Sequence, residues 1–176
     1  GQAQAMLDIR VRDGASPLFL HYDHRELDDQ PFGFMVENRH MRQALHKRAA
    51  EISSLELRAP ASAAEIQRAE NGVTVRLEDG DNLQARLLIG AEGRRSPSRE
   101  DAGIQVSGWS YHQVGIVCTV GHQHPHHGIA QERFLPSGPF AILPLPGNRS
   151  SLVWTETDDL APVMMALDDE HFLAEI

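Results

Sequence analysis

The sequence predicts a mixed α/β fold of the α+β kind, in which a strand–helix unit is set among many antiparallel strands. Two observations support this class. Segments of alternating apolar and polar residues recur along the chain, and one segment shows helical periodicity. The 176 residues, 41% of them hydrophobic, can bury a core of ordinary size. We therefore expect one domain or a large part of one.

The first 30 residues predict a β-hairpin. Leu7, Ile9 and Val11 alternate with charged residues, Asp13 and Gly14 form a turn, and "SPLFLHYD" supplies the second strand. The alternation predicts a hairpin with one solvated face. The polar segment "RELDDQPFG" that follows predicts a loop.

The clearest helix is expected over residues 39–51. Asn38 is a candidate N-cap, and the apolar residues after it recur at helical spacing. These residues are Met41, Leu45, Ala49 and Ile52.

Strands are expected next at "LELRA", at "AEIQRA", and on both sides of a hairpin turn at residues 78–82. The strand predicted for residues 83–89 loses its alternation at "LLIG", which is typical of a strand buried on both faces. A short helix is expected after Arg99.

The last third of the chain predicts four more strands and a helical C-terminal segment. The strands are expected at residues 111–120, 130–135, 140–145 and 151–155. In the C-terminal segment, Pro162 is expected near a helix start and Asp168 is a possible cap.

Composition excludes several classes of function. A net charge of −9 and a pI near 5.5 argue against binding to duplex nucleic acid, because no basic stripe is present to neutralise phosphates. No apolar run approaches the roughly 18 residues expected of a membrane span, although peripheral membrane contact stays open. The single Cys118 fits a reducing compartment and, on a strand with Ile116, is expected to be a core residue.

The stretch "LLIGAEGRRSPSRE" places a glycine–acid–glycine turn after an apolar strand. Gly90 and Gly93 permit close backbone approach and positive φ, exposed N–H groups can face a phosphate, and the Glu92 carboxylate can accept from sugar hydroxyls. Taken alone, the turn is equally compatible with a purely structural role.

Three motifs in the correct order resemble a known family. "GAEGRRSPSR" is similar to its fingerprint G-A-D-G-x-x-S-x-x-R, "VENRHMRQAL" to its E-N-x-x-x-x-x-A-L segment, and "QERFLPSGPFAILPLPGNRSSLVWT" to its strand pair. The chain thus resembles the ubiquinone-biosynthesis hydroxylases, the UbiH/COQ6 group, within the class A, para-hydroxybenzoate-hydroxylase-like flavoprotein monooxygenases.

The resemblance implies an FAD enzyme that uses NAD(P)H and O2 to hydroxylate a polyprenylated phenol in ubiquinone biosynthesis. The cofactor carries the oxygen chemistry in such enzymes, so we nominate no catalytic side chain and no metal ligand. The resemblance also implies a cytoplasmic protein, with contact to the inner membrane, to a biosynthetic complex or to a second copy of the chain as further expectations.

The family's roles transfer to ten positions. Glu37 would lie close to the flavin ring or ribityl chain, Arg42 would reach the cofactor, and the residues of the strand pair would face the substrate. As cofactor-binding residues we expect Glu37, Arg42, Gly90, Glu92, Gly93, Arg95 and Arg99, and as substrate-binding residues Phe134, Phe140 and Ile142. The alternatives are solvated arginines, a helix-end carboxylate and ordinary core residues.

The sequence departs from the family in two ways. Glu92 stands where the family has Asp, and the family's G-x-G-x-x-G and G-D-A-A-H-x-x-x-P motifs do not occur. We therefore expect the central part of a para-hydroxybenzoate-hydroxylase-like FAD fold, inactive alone. Residues 1–30 would form a substrate-domain hairpin, 31–108 part of the FAD-binding domain, and 109–176 the strand-rich substrate-binding sheet with a following helix.

Three alternative functions stay open. The run "GHQHPHHG" places His122, His124, His126 and His127 close together, and imidazoles at this density can bind zinc, nickel or copper. The chain could also be an aromatic-ligand or partner-binding domain without redox activity. Finally, it could belong to a class A hydroxylase of a smaller phenol such as salicylate.

Overall fold

The computed structural model describes residues 1–176, which divide into two compact units. The first unit contains residues 1–47 and 110–176, and the second contains residues 48–109. The strands are β1 (Ala3–Met6), β2 (Asp8–Asp13), β3 (Phe19–Asp23), β4 (Gly33–Val36), β5 (Ala63–Ala69), β6 (Gly72–Leu77), β7 (Asn82–Ala85), β8 (Gln113–Gly121), β9 (Ile129–Leu135), β10 (Gly138–Leu145) and β11 (Arg149–Thr157). The helices are α1 (Asn38–Glu51), α2 (Pro97–Asp101), α3 (Ala161–Met165) and α4 (Asp169–Ala174). The predicted mixed α/β class is confirmed.

A six-stranded sheet with the order β3-β2-β9-β10-β11-β8 organises the first unit. Its neighbouring strands are antiparallel except for β2 and β9, which are parallel. The predicted N-terminal hairpin is confirmed as β2–β3, and through β2 it joins the sheet formed by the last third of the chain. The strands β1 and β4 pair separately as a two-stranded sheet.

The main core lies on the face of this sheet that α3 and α4 cover. Leu152 is only 1% exposed, and the rings of Phe140 and Trp154 meet edge to face with centroids 5.4 Å apart. The buried Trp154 Nε1–H is satisfied because it donates to Glu156 Oε1 at 3.0 Å. The cluster consists of Ile116, Phe140, Leu152, Trp154, Ala161 and Met164.

Cys118 packs against this core cluster, as its place on an alternating strand predicts. Burial raises the pKa of its thiol, so the side chain stays in its protonated, unreactive form at neutral pH. The structure thus assigns Cys118 a packing role.

The predicted helix is confirmed as α1, but none of its residues is buried. Met41 is 48% exposed and Leu45 is 63% exposed, whereas Ala49 and Ile52 of the same apolar stripe are half-buried. Helical periodicity thus identified the element correctly, although the first half of its apolar stripe is exposed. The predicted cap at Asp168 is also confirmed, because its side chain accepts from the backbone N–H of His171 at 2.9 Å.

The second unit contains the antiparallel sheet β5-β6-β7, which includes the predicted hairpin around residues 78–82. Two strand predictions here are wrong. The segment "LELRA" forms no strand, and the strand expected over residues 83–89 ends at Ala85. No strand pairs with Leu87–Ile89, and both of these terminal residues are more than 70% exposed. An apolar run becomes a doubly buried strand only when neighbours flank it.

No helix of the structure has both the length and the apolar character needed to cross a membrane.

Candidate functional site

The segment Gly90–Arg99 runs from the extended chain after β7 into the first turn of helix α2, and it is named the cofactor turn after the role that the family resemblance implies. Gly93 has a φ of +79°, in the left-handed region that side chains disfavour. A Cβ on Gly90 would lie 2.7 Å from Ser98 Oγ. The backbone therefore favours glycine at position 93, and a side chain at position 90 would displace the Ser98 hydroxyl.

The Glu92 carboxylate uses one oxygen to hold this turn together. Its Oε2 accepts from Ser96 Oγ at 2.5 Å, from the Ser98 backbone N–H at 3.0 Å, and from the Ser98 hydroxyl. These bonds, that from Ser96 foremost, lower the pKa of Glu92. No hydrogen bond engages Oε1, so the second oxygen remains available as an acceptor.

Ser96 links the turn to α2. Its side chain is buried and accepts from the Arg99 backbone N–H at 3.2 Å, which makes it the N-cap, and Pro97 follows at the start of the helix. The sequence interpretation gave Ser96 no role. The Ser-Pro pair before a short helix was the signal, because Ser is favoured at the N-cap and Pro at the first helical position.

Arg99 lines an open cleft of about 610 Å³ beside the turn. Its Nη1 donates to the Arg94 carbonyl at 3.1 Å, while its buried Nε has no hydrogen-bond partner. Arg68 and Arg86 also line the cleft, together with both glycines of the turn. Arg95 is exposed and does not line it.

The residues of the cofactor turn fit a nucleotide phosphate and sugar. The unpaired N–H of Arg99 needs an acceptor, and guanidinium groups bind phosphate oxygens well. The free Oε1 of Glu92 can accept from a sugar hydroxyl, and the glycines leave the backbone open to close approach.

Glu37 lies in the first unit, between β4 and α1, and it is already paired. Its Oε2 accepts from Arg149 Nη2 at 3.1 Å and from Arg39 Nη2 at 3.0 Å. These two contacts, Arg149 first, lower the pKa of Glu37. The sequence interpretation missed Arg149, which lies 112 residues away, because no local pattern reports a pairing at that distance. Arg42 is exposed on α1 and lines a shallow surface depression.

The three candidate substrate residues do not share a face of the sheet. Phe140 belongs to the buried core and Ile142 packs against it. In the β9–β10 hairpin Phe140 pairs with Arg133 and Phe134 pairs with Pro139, so Phe134 points to the opposite face, where its ring is 49% exposed.

Two imidazoles of the histidine run, His122 and His126, form hydrogen bonds with residues 145–150. His126 Nε2 contacts the Leu145 and Gly147 carbonyl oxygens at 2.8 and 3.0 Å, and its Nδ1 accepts from the Gly128 N–H at 2.9 Å. His122 bonds to Ser150 Oγ at 3.1 Å through Nε2. These contacts tie the loop to the β10–β11 turn, which is a structural use of the motif.

The FAD-binding domain family matches residues 18–161 of the chain. The chain belongs to this FAD-binding domain family. The match includes the cofactor turn, Glu37 and all strands of the large sheet except β2. The fold class and the family resemblance predicted from the three motifs are therefore confirmed.

Relatives of this FAD-binding domain chain include proteins of ubiquinone metabolism. It is 53% identical over 176 residues to the ubiquinone hydroxylase UbiL of Rhodospirillum rubrum, covering 100% of the chain and 41% of that protein. It is 34% identical over 185 residues to the mitochondrial ubiquinone biosynthesis monooxygenase COQ6 of Mus musculus, covering 99% of the chain and 38% of that protein. The chain thus spans about two fifths of the length of these curated relatives.

Solved structures share the fold of this FAD-binding domain chain. Pseudomonas aeruginosa PqsL, crystallised with 2-aminobenzoylacetate, matches with a TM-score of 0.82 at 19% identity over 98% of the chain and 52% of PqsL. Klebsiella pneumoniae HpxO, in complex with FAD and uric acid, matches with a TM-score of 0.67 at 16% identity over 88% of the chain and 41% of HpxO. At these identities the likeness concerns the fold.

Proposed function

We propose that this chain is part of an FAD-dependent monooxygenase that hydroxylates a polyprenylated phenol in ubiquinone biosynthesis, with NAD(P)H and O2 as co-substrates. The family match and the ubiquinone-related relatives support the cofactor and the reaction class. The observation that carries the proposal is the cofactor turn, which pairs an unengaged Glu92 oxygen with an unpartnered Arg99 N–H.

In this proposal the residues of the turn bind and orient the dinucleotide. Glu92 would accept from a ribose hydroxyl through Oε1 while Oε2 keeps the turn rigid, and Arg99 would donate to a phosphate oxygen. Gly90 and Gly93 would let the backbone approach the pyrophosphate. Arg95, exposed beside the turn, would add positive charge. The flavin, when bound, carries out the chemistry with O2.

Glu37 and Arg42 are also proposed to contribute to flavin binding. Because Glu37 Oε2 is held by Arg149 and Arg39, the carboxylate is fixed in place before any cofactor binds, which reduces the entropy cost of binding. Arg149, on β11, thereby becomes a positioning residue for Glu37.

The substrate would bind against the sheet through Phe134, whose half-exposed ring offers apolar contact area to an aromatic ring or a prenyl chain. Phe140 and Ile142 are proposed to act from the opposite face, where they fix the strand that carries the site. Phe134→Ala should therefore raise the KM for substrate while leaving the stability of the protein nearly unchanged.

The test uses the full-length protein that contains this chain. We expect stoichiometric FAD binding and hydroxylation of a polyprenylated phenol that depends on NAD(P)H. Product formed only from salicylate would replace the substrate assignment with that of a small phenol. Ligand binding with neither flavin absorbance nor NAD(P)H oxidation would instead identify a binding domain without redox activity.

Matched variants locate the cofactor within the turn. Arg99→Gln is expected to weaken FAD binding at least about tenfold, the loss that one charge-assisted hydrogen bond corresponds to. Arg76→Gln is the control, because Arg76 lies in the same unit and pairs with Glu65 away from the cleft. Equal FAD affinities in the two variants would refute the assignment.

We also propose a cytoplasmic location with peripheral contact to the inner membrane, and contact with a biosynthetic complex or a second copy of the chain. A polyprenylated substrate resides in the bilayer, so an enzyme acting on it gains from surface attachment. Co-flotation of the full-length protein with lipid vesicles tests membrane contact, and light scattering of the same preparation tests self-association.

A further inference from the structure

Three arginines without carboxylate partners surround a small cavity in the first unit. Arg10 and Arg12 lie on β2, and Arg133 lies on β9, where it pairs directly with Arg12. No ion pair joins any of the three to an Asp or Glu within 4.0 Å. The like charges of Arg12 and Arg133 on paired residues repel each other, and a bound anion would offset this repulsion.

The cavity has a volume of about 190 Å³ and an apolar floor. The apolar lining residues, called here the floor, are Phe140, which is 7% exposed, Ile142, Phe19 and Ile176. The Arg10 guanidinium carbon lies 5.8 Å from the centre of the Phe19 ring, so that the side chain is held over the aromatic face. Its Nε is buried without a hydrogen-bond partner.

The neighbouring polar groups do not satisfy these arginines. Asp8, two residues before Arg10 on the same face, pairs with His21 at 3.4 Å. Glu132 contributes to the cavity wall but forms no ion pair or hydrogen bond with an arginine. Arg133 donates from Nε to the Gly14 carbonyl at 3.0 Å, which fixes its guanidinium and leaves its terminal nitrogens free. Three cations thus converge in a chain whose net charge is −9.

We propose that Arg10, Arg12 and Arg133 form a binding site for a phosphate group, supplied either as free phosphate or as a phosphomonoester. Guanidinium forks bind phosphate oxygens in a bidentate manner, and a divalent oxyanion matches an uncompensated group of three cations. The volume equals roughly six water molecules, so a phosphate with a ring-sized apolar group fits against Phe140. This site shares no residue with the cofactor turn, to which we assign the FAD phosphates.

The test is calorimetric titration of the FAD-loaded full-length protein with inorganic phosphate and with phenyl phosphate, at constant ionic strength set by sodium chloride. We expect one saturable site for at least one of these probes. Arg10→Gln and Arg133→Gln should each weaken its binding at least about tenfold. Arg48→Gln is the control for net charge, because Arg48 is an exposed residue of α1 paired with Glu51.

The two probes distinguish the source of the phosphate. Equal binding of both points to free phosphate, whereas tighter binding of phenyl phosphate points to an ester whose apolar group contacts the floor. If Arg10→Gln unfolds the protein, the more exposed Arg12→Gln provides the same comparison. The proposal is overturned if neither probe binds at millimolar concentration, or if the arginine variants bind as tightly as Arg48→Gln.

Discussion

Replacing Ser96 by Ala should remove the hydrogen bonds through which the Ser96 hydroxyl links Glu92 to the N-terminus of helix α2. The hydroxyl caps the helix by accepting from Arg99 N–H and donates to Glu92 Oε2 at 2.5 Å. Loss of an N-cap costs about 1 kcal/mol, and loss of the hydrogen bond to Glu92 adds to this cost. Because Ser98 still donates twice to Glu92, the added cost should be small. We expect Ser96→Ala to destabilise the second unit by at least about 1 kcal/mol.

Amide hydrogen exchange in β6 measures this loss, because it reports the free energy of opening of the second unit separately from the first. Ser107→Ala, which removes an exposed hydroxyl without a hydrogen bond, should change this free energy by less than about 0.5 kcal/mol. The pKa of Glu92 should also rise toward its ordinary value in Ser96→Ala, since the bond from Ser96 is the main cause of its lowering. A Ser96→Ala protein that matches Ser107→Ala in both measurements would refute this account of the turn.

Three further predictions concern the first unit. Leu152→Ala should lower the free energy of unfolding in urea by about 3–4 kcal/mol, because Leu152 is 1% exposed. Val117→Ala, at a site that is 67% exposed, should lower it by less than about 0.5 kcal/mol. Similar losses in the two variants would contradict the assigned core. Burial raises the pKa of Glu132, so the folded state binds more protons than the unfolded state, and stability falls as pH rises from about 4.5 through the raised value. Glu132→Gln should therefore raise the melting temperature at pH 7 and leave it unchanged at pH 4, and equal effects at both pH values would exclude this linkage. His126→Ala should lower the melting temperature more than His124→Ala, because His126 bonds to two backbone carbonyls of the β10–β11 turn; the reverse order would contradict its structural role.

Local patterns predicted those elements whose cause is itself local. The β2–β3 hairpin follows from alternation and a turn, and α1 follows from helical spacing, although Asn38, predicted as its N-cap, is the first residue of the helix. Asp168 caps a helix as its residue type suggests. In each case the determining residues lie within a few positions of one another, so no tertiary information is required.

Predictions that depended on distant partners were less successful. The run Leu87–Ile89 is apolar enough for a buried strand, yet no strand of the structure pairs with it. The pairing of Glu37 with Arg149 spans 112 residues and leaves no local signal. Both cases concern contacts that the chain establishes only through tertiary structure.

One feature of the substrate strands could have been deduced from the sequence. The turn between Leu135 and Gly138 contains two residues, and these flanking residues are paired. In such a hairpin each even-numbered residue pairs with an odd-numbered residue of the other strand, and paired side chains lie on the same face. Because side chains alternate along each strand, the even-numbered residues of the two strands lie on opposite faces. Phe134 and Phe140 must therefore lie on opposite faces. The family resemblance assigned both residues to the substrate site, whereas the strand pairing places their side chains on opposite faces of the sheet.

The reason for Glu92 in place of the family's Asp can be tested by Glu92→Asp. The longer side chain lets one oxygen reach the serines of the turn while the other stays free. Asp is shorter by one carbon–carbon bond of about 1.5 Å, so it should lose part of the contact with Ser96 and Ser98. If Oε1 binds a ribose, Glu92→Asp in the full-length protein should keep or improve FAD affinity although the second unit becomes less stable, whereas Glu92→Ala should lose both. If Glu92 only anchors the turn, FAD affinity in Glu92→Asp should instead fall together with stability. FAD titration and hydrogen exchange on both variants distinguish the two roles. With a ribose contact, Glu92→Asp lowers the stability of the second unit but not the FAD affinity, whereas with an anchoring role it lowers both.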